Sequence, residues 1–188
     1  NGGDIGQSGA LIVGGASTID AGTGDIDLTD AGNDFGGAVS LIGGAVAISD
    51  VNALTLDAFD LESLSATSHG DLSLGGGTIA GALVADSNGG DIDQSGALVV
   101  GGGSAIDAGT GAIALDHAGN DFGAAVTLTG GAVAINDINA LTLGTLDVAS
   151  LDASSHGALD IGAGSVAGNL VADSNGGAIG QSGALLGA

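Results

Sequence analysis

The stretch Gly44-Ala45-Val46-Ala47-Ile48 carries the pattern that decides the fold. A glycine opens it, and a branched apolar side chain then occupies every second position. Alternation with a period of two places one face of an extended strand in a core and the other face in solvent. The same pattern follows glycine at residues 24–28 and 70–74, and no stretch shows the period of a helix. The sequence therefore predicts short β-strands separated by glycine-containing turns.

A long tandem repeat of 87 residues contains these strands. The tripeptide Asn1-Gly2-Gly3 returns at residues 88 and 175, and roughly two-thirds of the positions are identical between the two complete copies. Near-identical copies at a fixed period are typical of repeat proteins whose units stack on one another. We therefore divide the chain into a first copy (1–87), a second copy (88–174) and the start of a third (175–188), all parts of one continuous solenoid.

A shorter period subdivides each copy. Strand-opening glycines occur at positions 3, 24, 44, 70 and 90, so the third of these four steps is the longest. These steps predict an all-β parallel β-helix with about 20–26 residues per coil and four coils per repeat. The long coil, residues 44–69, is expected to hold a bulge or an extra strand around residues 58–63. Between eight and nine coils, about 4.8 Å apart, would form a rod roughly 40 Å long.

The composition favours a thin core and excludes several classes of protein. The chain has 40 Gly, no Pro, Cys, Trp or Tyr, and only three Phe, yet 44% of its residues are hydrophobic. A disordered chain would be less hydrophobic, and polar residues interrupt every apolar run well before the roughly 18 residues that span a bilayer. Stacked ladders of Val, Ile and Leu explain a core without large aromatic side chains. We predict no insertion into a membrane.

The charge is entirely one-sided. The chain has 22 Asp and Glu, no Lys or Arg, and a formal net charge of −22. Binding to nucleic acid depends on Lys and Arg contacts with phosphates, so nucleic acid is excluded as a partner. The carboxylates have no cationic side chain to pair with, so we expect screening by cations from solution, with salt or Ca²⁺ dependence.

We predict that the chain is not an enzyme. Lyases with a parallel β-helix use Arg or Lys to abstract a proton, and this chain has neither. A glycosidase needs two carboxylates at a set separation, but the Asp residues here recur along the array, whereas an active site is usually a single departure from a repeat. His69, His117 and His156 lack a converging set of partners, and His117 replaces Asp30 of the first copy. No catalytic, cofactor-binding or metal-binding residue is assigned.

Two binding alternatives remain as minor hypotheses. Asn33-Asp34 and Asn120-Asp121 could bind Ca²⁺ together with one acidic pair in each copy; the competing interpretation is a turn in which Asn and Asp cap the backbone and Phe35 or Phe122 fills the core. The acidic residues are Asp30 and Asp50 in the first copy and Asp116 and Asp137 in the second. An ice-binding face is indicated only by Thr127-Leu128-Thr129, whose counterpart is Ser40-Leu41-Ile42.

The chain resembles the central repeats of the filamentous haemagglutinin family, large exoproteins secreted by two-partner systems of Gram-negative bacteria. The resemblance covers essentially the whole chain and is carried by three motifs. They are Ala31-Gly32-Asn33-Asp34-Phe35-Gly36-Gly37-Ala38-Val39-Ser40-Leu41, Asn52-Ala53-Leu54-Thr55-Leu56 and Val166-Ala167-Gly168-Asn169-Leu170. It implies a right-handed β-helix, an extracellular or cell-surface location, and a role as the shaft of an adhesin.

The expected function is therefore a structural shaft of a bacterial surface fibre. Its partners would be further copies of the same repeat, in the same chain or in a stacked neighbour. The alternative is a self-assembling filament or sheath subunit that stacks end to end, because uncapped solenoids expose strand edges that attract other strands. Adhesive specificity would lie in other parts of the protein.

Overall fold

The computed structural model describes residues 2–187, which consist of β-strands and turns without a helix. Asn1 and Ala188, the outer bounds of the first and third copies, lie outside the described residues. No helix among residues 2–187 is long and apolar enough to cross a membrane. The strands are β1 (Ile5–Gly6), β2 (Ile12–Val13), β3 (Ser17–Asp20), β4 (Ile26–Leu28), β5 (Asp34–Phe35), β6 (Val39–Ser49), β7 (Leu54–Thr67), β8 (Leu72–Leu74), β9 (Gly76–Ile79), β10 (Leu83–Asp86), β11 (Ile92–Gln94), β12 (Leu98–Val100), β13 (Ser104–Asp107), β14 (Ile113–Leu115), β15 (Asp121–Phe122), β16 (Val126–Asp137), β17 (Leu141–Ser155), β18 (Leu159–Asp160), β19 (Ala163–Val166), β20 (Leu170–Asp173), β21 (Ile179–Gly180) and β22 (Leu185–Leu186).

Parallel pairing between successive coils confirms the predicted β-solenoid. One ladder of paired residues follows the rod from its second coil to its last, with one residue from each coil. The coils are on average slightly shorter than the glycine spacing suggested, and none is as long as the step from Gly44 to Gly70. The ladder consists of Leu28, Ile48, Ala66, Ala85, Ile106, Leu128, Leu146, Gly164 and Leu185.

The solenoid has three faces, which the chain visits in strict rotation. The first face holds β1, β4, β10, β13, β19 and β22, the second β2, β5, β8, β11, β14 and β20, and the third β3, β9, β12, β15, β18 and β21. The long strands β6, β7, β16 and β17 turn corners and contribute to two or three faces each. In β7, residues 54–55 pair on the second face, residues 58–61 on the third and residues 64–67 on the first.

One 87-residue copy spans four coils and one further face, rather than four coils as expected. Strand β1 lies on the first face, its counterpart β11 on the second, and its next counterpart β21 on the third. The glycine spacing concealed this because residues 44–69 hold more than one coil: Val46 already pairs with Leu64, well before that segment ends. The predicted extra strand near residues 58–63 is confirmed, and it is the third-face part of β7.

The interior is a narrow stack of aliphatic side chains. On the second face, Leu54, Leu72 and Ile92 stack in register and are completely buried. Phe35 and Phe122, the last residues of β5 and β15, are also buried. Each coil adds about one residue per face to such a ladder, so the chain needs no aromatic residues to fill a thick core.

Glycine columns allow neighbouring coils to approach closely where the first face meets the second. A Cβ added to Gly90 would lie 2.4 Å from the carbonyl carbon of Gly70, and one added to Gly111 would lie 2.1 Å from the carbonyl oxygen of Gly90. Real Cβ atoms do not come so close to a backbone, so these glycines are required by contact rather than by dihedral angle. The recurrent glycine before each strand is thus a stacking residue.

Candidate functional site

A polar cluster occupies one corner of each copy and contains most of the residues singled out from the sequence. Its centre in the first copy is Asn33, which is fully buried. Its Oδ1 accepts hydrogen bonds from the backbone N of Leu11 at 2.9 Å and from Nε2 of Gln7 at 2.7 Å. Its Nδ2 donates to the carbonyl of Leu28 at 2.9 Å and to Oε1 of Gln7 at 2.9 Å. The side chain therefore joins two coils and has no free polar atom for a ligand.

The second copy reproduces this cluster. Asn120 is likewise buried, and its amide exchanges hydrogen bonds with Gln94 at 2.7 and 2.8 Å. Its Oδ1 also accepts from the backbone N of Leu98, and its Nδ2 donates to the carbonyl of Leu115. Sequence reasoning missed the glutamine, although its recurrence at positions 7, 94 and 181 was a usable signal.

A buried aspartate in each copy holds the turn next to the cluster. Asp50 accepts the backbone N–H of Phe35 at 2.7 Å and that of Asn52 at 2.7 Å, and Asp137 does the same for Phe122 at 2.7 Å and Asn139 at 2.6 Å. Burial raises the pKa of Asp137, and the nearby charge of Asp121 adds to this, whereas the two backbone hydrogen bonds oppose it. Both carboxylate oxygens are thus used to hold the backbone.

These contacts correspond to the capping interpretation of the Asn-Asp motifs. Asp30 accepts the backbone N–H of Gly32, and Asp34 accepts Nδ2 of Asn52 at 3.0 Å. Asp116 is exposed at the surface of the turn. Within residues 2–187, no group of three or more His, Asp or Glu side chains is arranged to hold a metal ion. The Ca²⁺ hypothesis therefore gains no geometric support from the residues that motivated it.

The three histidines are exposed and lie at separate turns. His117 takes over the role of Asp30, because its Nδ1 accepts the backbone N–H of Gly119 at 3.0 Å. Nδ1 of His69 lies 3.3 Å from the carbonyl oxygen of Asp50. The structure therefore does not bring the histidines together, and His117 replaces an aspartate by reproducing its hydrogen bond.

Many carboxylates bind backbone N–H groups of the next coil, which the sequence did not reveal. Oδ1 of Asp71 accepts the N–H of Asp91 at 3.0 Å, and Oδ1 of Asp91 accepts that of Ala112 at 2.8 Å. Asp4 and Asp25 form the same kind of chain in the first two coils. Hydrogen bonds from N–H groups stabilise an ionised carboxylate without a cationic side chain. Part of the acidic composition is therefore explained by aspartates that cap backbone N–H groups at the corners of the rod.

The described residues form several shallow surface depressions. A cleft of about 480 Å³ near Gly43 and Gly44 is flanked by Asp25, Asp60 and Glu62. Its acidic side chains are not repeated as a set, because the second copy has alanine at positions 112 and 149. A groove lined mainly by small residues lies on the first face in the first copy, and its counterpart lies on the second face in the second copy.

Comparison with known families matches three segments of the chain, residues 1–42, 62–129 and 150–187, to a family described as "Repeats of unknown function (DUF5649)". These segments cover well over half of the sequence. The chain belongs to this family. The DUF5649 match breaks at residues 43–61 and 130–149, which include parts of the long strands that turn corners. No curated protein and no solved structure matches the chain.

Proposed function

We propose that these DUF5649 repeats form the structural, non-catalytic shaft of an extracellular bacterial surface fibre. The observation that carries the proposal is the rotation of each copy by one face. A set of outward side chains on the first face of one copy lies on the second face in the next copy. No face keeps a constant chemistry along the described rod, whereas the buried ladders and corner caps recur in both copies. The interior is therefore the same in both copies, while the outward side chains change face from one copy to the next. This arrangement fits a structural rod better than a platform that binds a partner along one face.

The same rotation argues against an ice-binding face. An ice-binding solenoid needs one flat face on which the same residue type recurs in every coil. Thr127 lies on the first face above Ala105, whereas its counterpart Ser40 lies on the third face above Thr18. The Thr127-Leu128-Thr129 match therefore does not extend into an array.

The extracellular location is proposed from the resemblance to filamentous haemagglutinin repeats and from the chemistry of the chain. A chain without Lys or Arg has no site for trypsin-like proteases, and it has no cysteine to oxidise. Its negative charge disfavours association with nucleic acid and with anionic membranes. The partners proposed are further copies of the repeat, in one chain.

A second candidate is a filament or sheath subunit whose ends stack between chains. It is favoured by the parallel, in-register pairing of successive coils, because the same ladder of strands can continue from one chain to the next. Parallel edges of this kind pair readily with further strands. The two candidates differ in whether the coil-to-coil contact is made within one chain or between chains.

Immunogold electron microscopy of intact cells, with an antibody raised against the 87-residue repeat, tests the proposal. We expect regular labelling along fibres at the cell surface, with fibre length that shortens when repeat copies are deleted from the gene. Fibre length that is independent of copy number would favour the stacking subunit. Label confined to the cytoplasm would overturn both candidates.

A further inference from the structure

The start of each copy after the first contains an asparagine in an uncommon backbone conformation. Asn88 and Asn175, with φ of 51° and 48°, are the only residues other than glycine in the 2–187 range that have a positive φ. Each is exposed and is followed by a glycine, with φ of 103° at Gly89 and 100° at Gly176. Both glycines are exposed, and a Cβ built on either of them would meet no atom within 4 Å, so no neighbouring group packs against them.

The side chains of these asparagines connect neighbouring coils. Nδ2 of Asn88 donates to the carbonyl oxygen of Ser68 at 2.8 Å, and Nδ2 of Asn175 donates to that of Ser155 at 2.8 Å. The two sites are equivalent positions of the repeat and lie on different corners of the rod. The first residue of each of these copies therefore uses its side-chain amide to hold its coil against the preceding coil.

We propose that Asn88 and Asn175 are sites of spontaneous deamidation and isomerisation. The backbone nitrogen of Gly89 attacks Cγ of Asn88 and loses its proton to solvent. Nδ2 takes up a proton from solvent, the bond between Cγ and Nδ2 breaks, and ammonia leaves a five-membered imide. Water then opens the imide at either carbonyl and yields aspartate or isoaspartate. Glycine imposes no side chain on the attacking nitrogen, which makes Asn-Gly the least hindered pair for this reaction. Asn175 and Gly176 react in the same way.

The reaction changes the contact that the asparagine makes. A carboxylate oxygen replaces the donor Nδ2 and faces the carbonyl oxygen of Ser68, so an attraction between coils becomes a repulsion. The isoaspartate product also inserts a methylene group into the main chain at the corner. One negative charge is added to a chain that already carries −22. The modification therefore weakens stacking at the point where the copy begins.

Other asparagines among the described residues lack this combination of features. Asn33 and Asn120 are buried with both amide atoms hydrogen-bonded. Asn52 and Asn139 are exposed but are followed by alanine. These last two are matched internal controls, since they are exposed side chains at corners of the same rod.

The test is incubation of the folded 188-residue chain at mildly alkaline pH, with circular dichroism to verify that it stays folded. Digestion with an Asp-specific protease and mass spectrometry then locates the mass gain of about one dalton, and an isoaspartate methyltransferase assay identifies the isomer. We expect conversion at Asn88 and Asn175 roughly tenfold faster than at Asn52 and Asn139, because amide lability depends on access by the following nitrogen.

The variant Asn88→Gly is the matched control, because glycine adopts the positive φ of this site without strain. It should abolish the signal at residue 88 and leave conversion at Asn175 unchanged. Conversion at Asn88 and Asn175 that is no faster than at Asn52 and Asn139 would overturn the proposal. Asn1 also precedes a glycine, so a second chain carries glycine at positions 1, 88 and 175. Persistence of the isoaspartate signal at full strength in that chain would equally overturn the proposal.

Discussion

Single polar residues at the corners hold the coils of this rod in register. Asn33, Asp50 and their counterparts Asn120 and Asp137 are buried and use their side-chain oxygens to bind backbone N–H groups. A buried N–H without an acceptor is costly, so each of these side chains fixes one conformation of its turn. The corners, rather than the ladders, carry the specific polar chemistry of the repeat.

Replacement of Asp137 by asparagine should destabilise the rod. The amide has only one oxygen, so either Phe122 or Asn139 would present its N–H to an NH₂ group. We expect the free energy of unfolding to fall by about 1–3 kcal/mol, the cost of a buried unsatisfied donor. Urea titration followed by circular dichroism measures the change, and Asp147→Asn, at an exposed aspartate, is the control. Equal losses in the two variants would contradict the capping role.

The raised pKa of Asp137 predicts a pH dependence of defined sign. Burial is the main cause of the raised value, with a contribution from the charge of Asp121. A carboxyl group whose pKa is higher in the folded than in the unfolded chain binds its proton more tightly when folded. Its contribution to stability therefore increases as the pH falls from neutrality through the raised value and becomes constant below the ordinary value of 3.8.

Urea titrations of the parent and of Asp137→Asn at several pH values test this sign. The parent should gain stability relative to the variant as the pH falls through that window, because only the parent has the titrating group. The comparison with the variant removes the general effect of neutralising the other carboxylates. A stability advantage of the parent that decreases with acidification would show that the folded state lowers this pKa.

Among the structural elements, the corner before each strand depends on close approach of backbones. Gly70, Gly90 and Gly111 form a column where successive coils touch. Gly103 is different, because a Cβ placed there meets its nearest atom at 3.7 Å, and the corresponding residue of the first copy is Ala16. The amino-acid sequence alone does not distinguish a glycine at a close backbone contact from a glycine, such as Gly103, that has space for a side chain.

Substitution of Gly111 by alanine should therefore be severe, whereas Gly103→Ala should be tolerated. The Cβ at position 111 would displace the coil below, and overpacking of this kind costs about 1–3 kcal/mol or more. At position 103 we expect little change, or a small gain from reduced freedom of the unfolded chain. Thermal unfolding of the two variants measures the difference. Similar melting temperatures would show that the column is not tightly packed.

The strands and their parallel stacking were predictable from sequence, but their assignment to faces was not. Period-two alternation at residues 44–48 and the 87-residue repeat were sufficient for the β-solenoid. The spacing from Gly44 to Gly70 was interpreted as one long coil, because glycine marks a corner without indicating which corner it is. Hydrogen bonding of the acidic residues was only partly predictable, since acceptors such as Asp71 and donors such as Asp91 lie a whole coil apart in the sequence.

The whole rod has a screw-like relation between its copies, and spin labels can measure it. Ala47 and Thr127 lie on the first face, four coils apart, whereas Ala134, the counterpart of Ala47, lies on the second face. Labels at cysteines that replace residues 47 and 127 should be about 19 Å apart, from four coils at about 4.8 Å each.

The pair at residues 47 and 134 should be clearly further apart than the pair at 47 and 127. The separation along the rod axis is only one-third of a coil greater for this pair, but its second label lies on a different face of the rod. Double electron–electron resonance or fluorescence energy transfer provides the distances. If both pairs gave the same separation, the two copies would be aligned on one face, and a copy would contain a whole number of coils.

The one-face advance of each copy links gene length to the direction in which the far end of a fibre points. Unequal recombination between near-identical copies adds or removes one whole repeat at a time. Each such event lengthens or shortens the rod by about 21 Å, at about 4.8 Å per coil, and also turns everything beyond the junction by one-third of a revolution. Only the gain or loss of repeats in multiples of three leaves the far end of the fibre in its original orientation. A domain at the tip would thus face a new direction after the same genetic event that changes the length of the fibre.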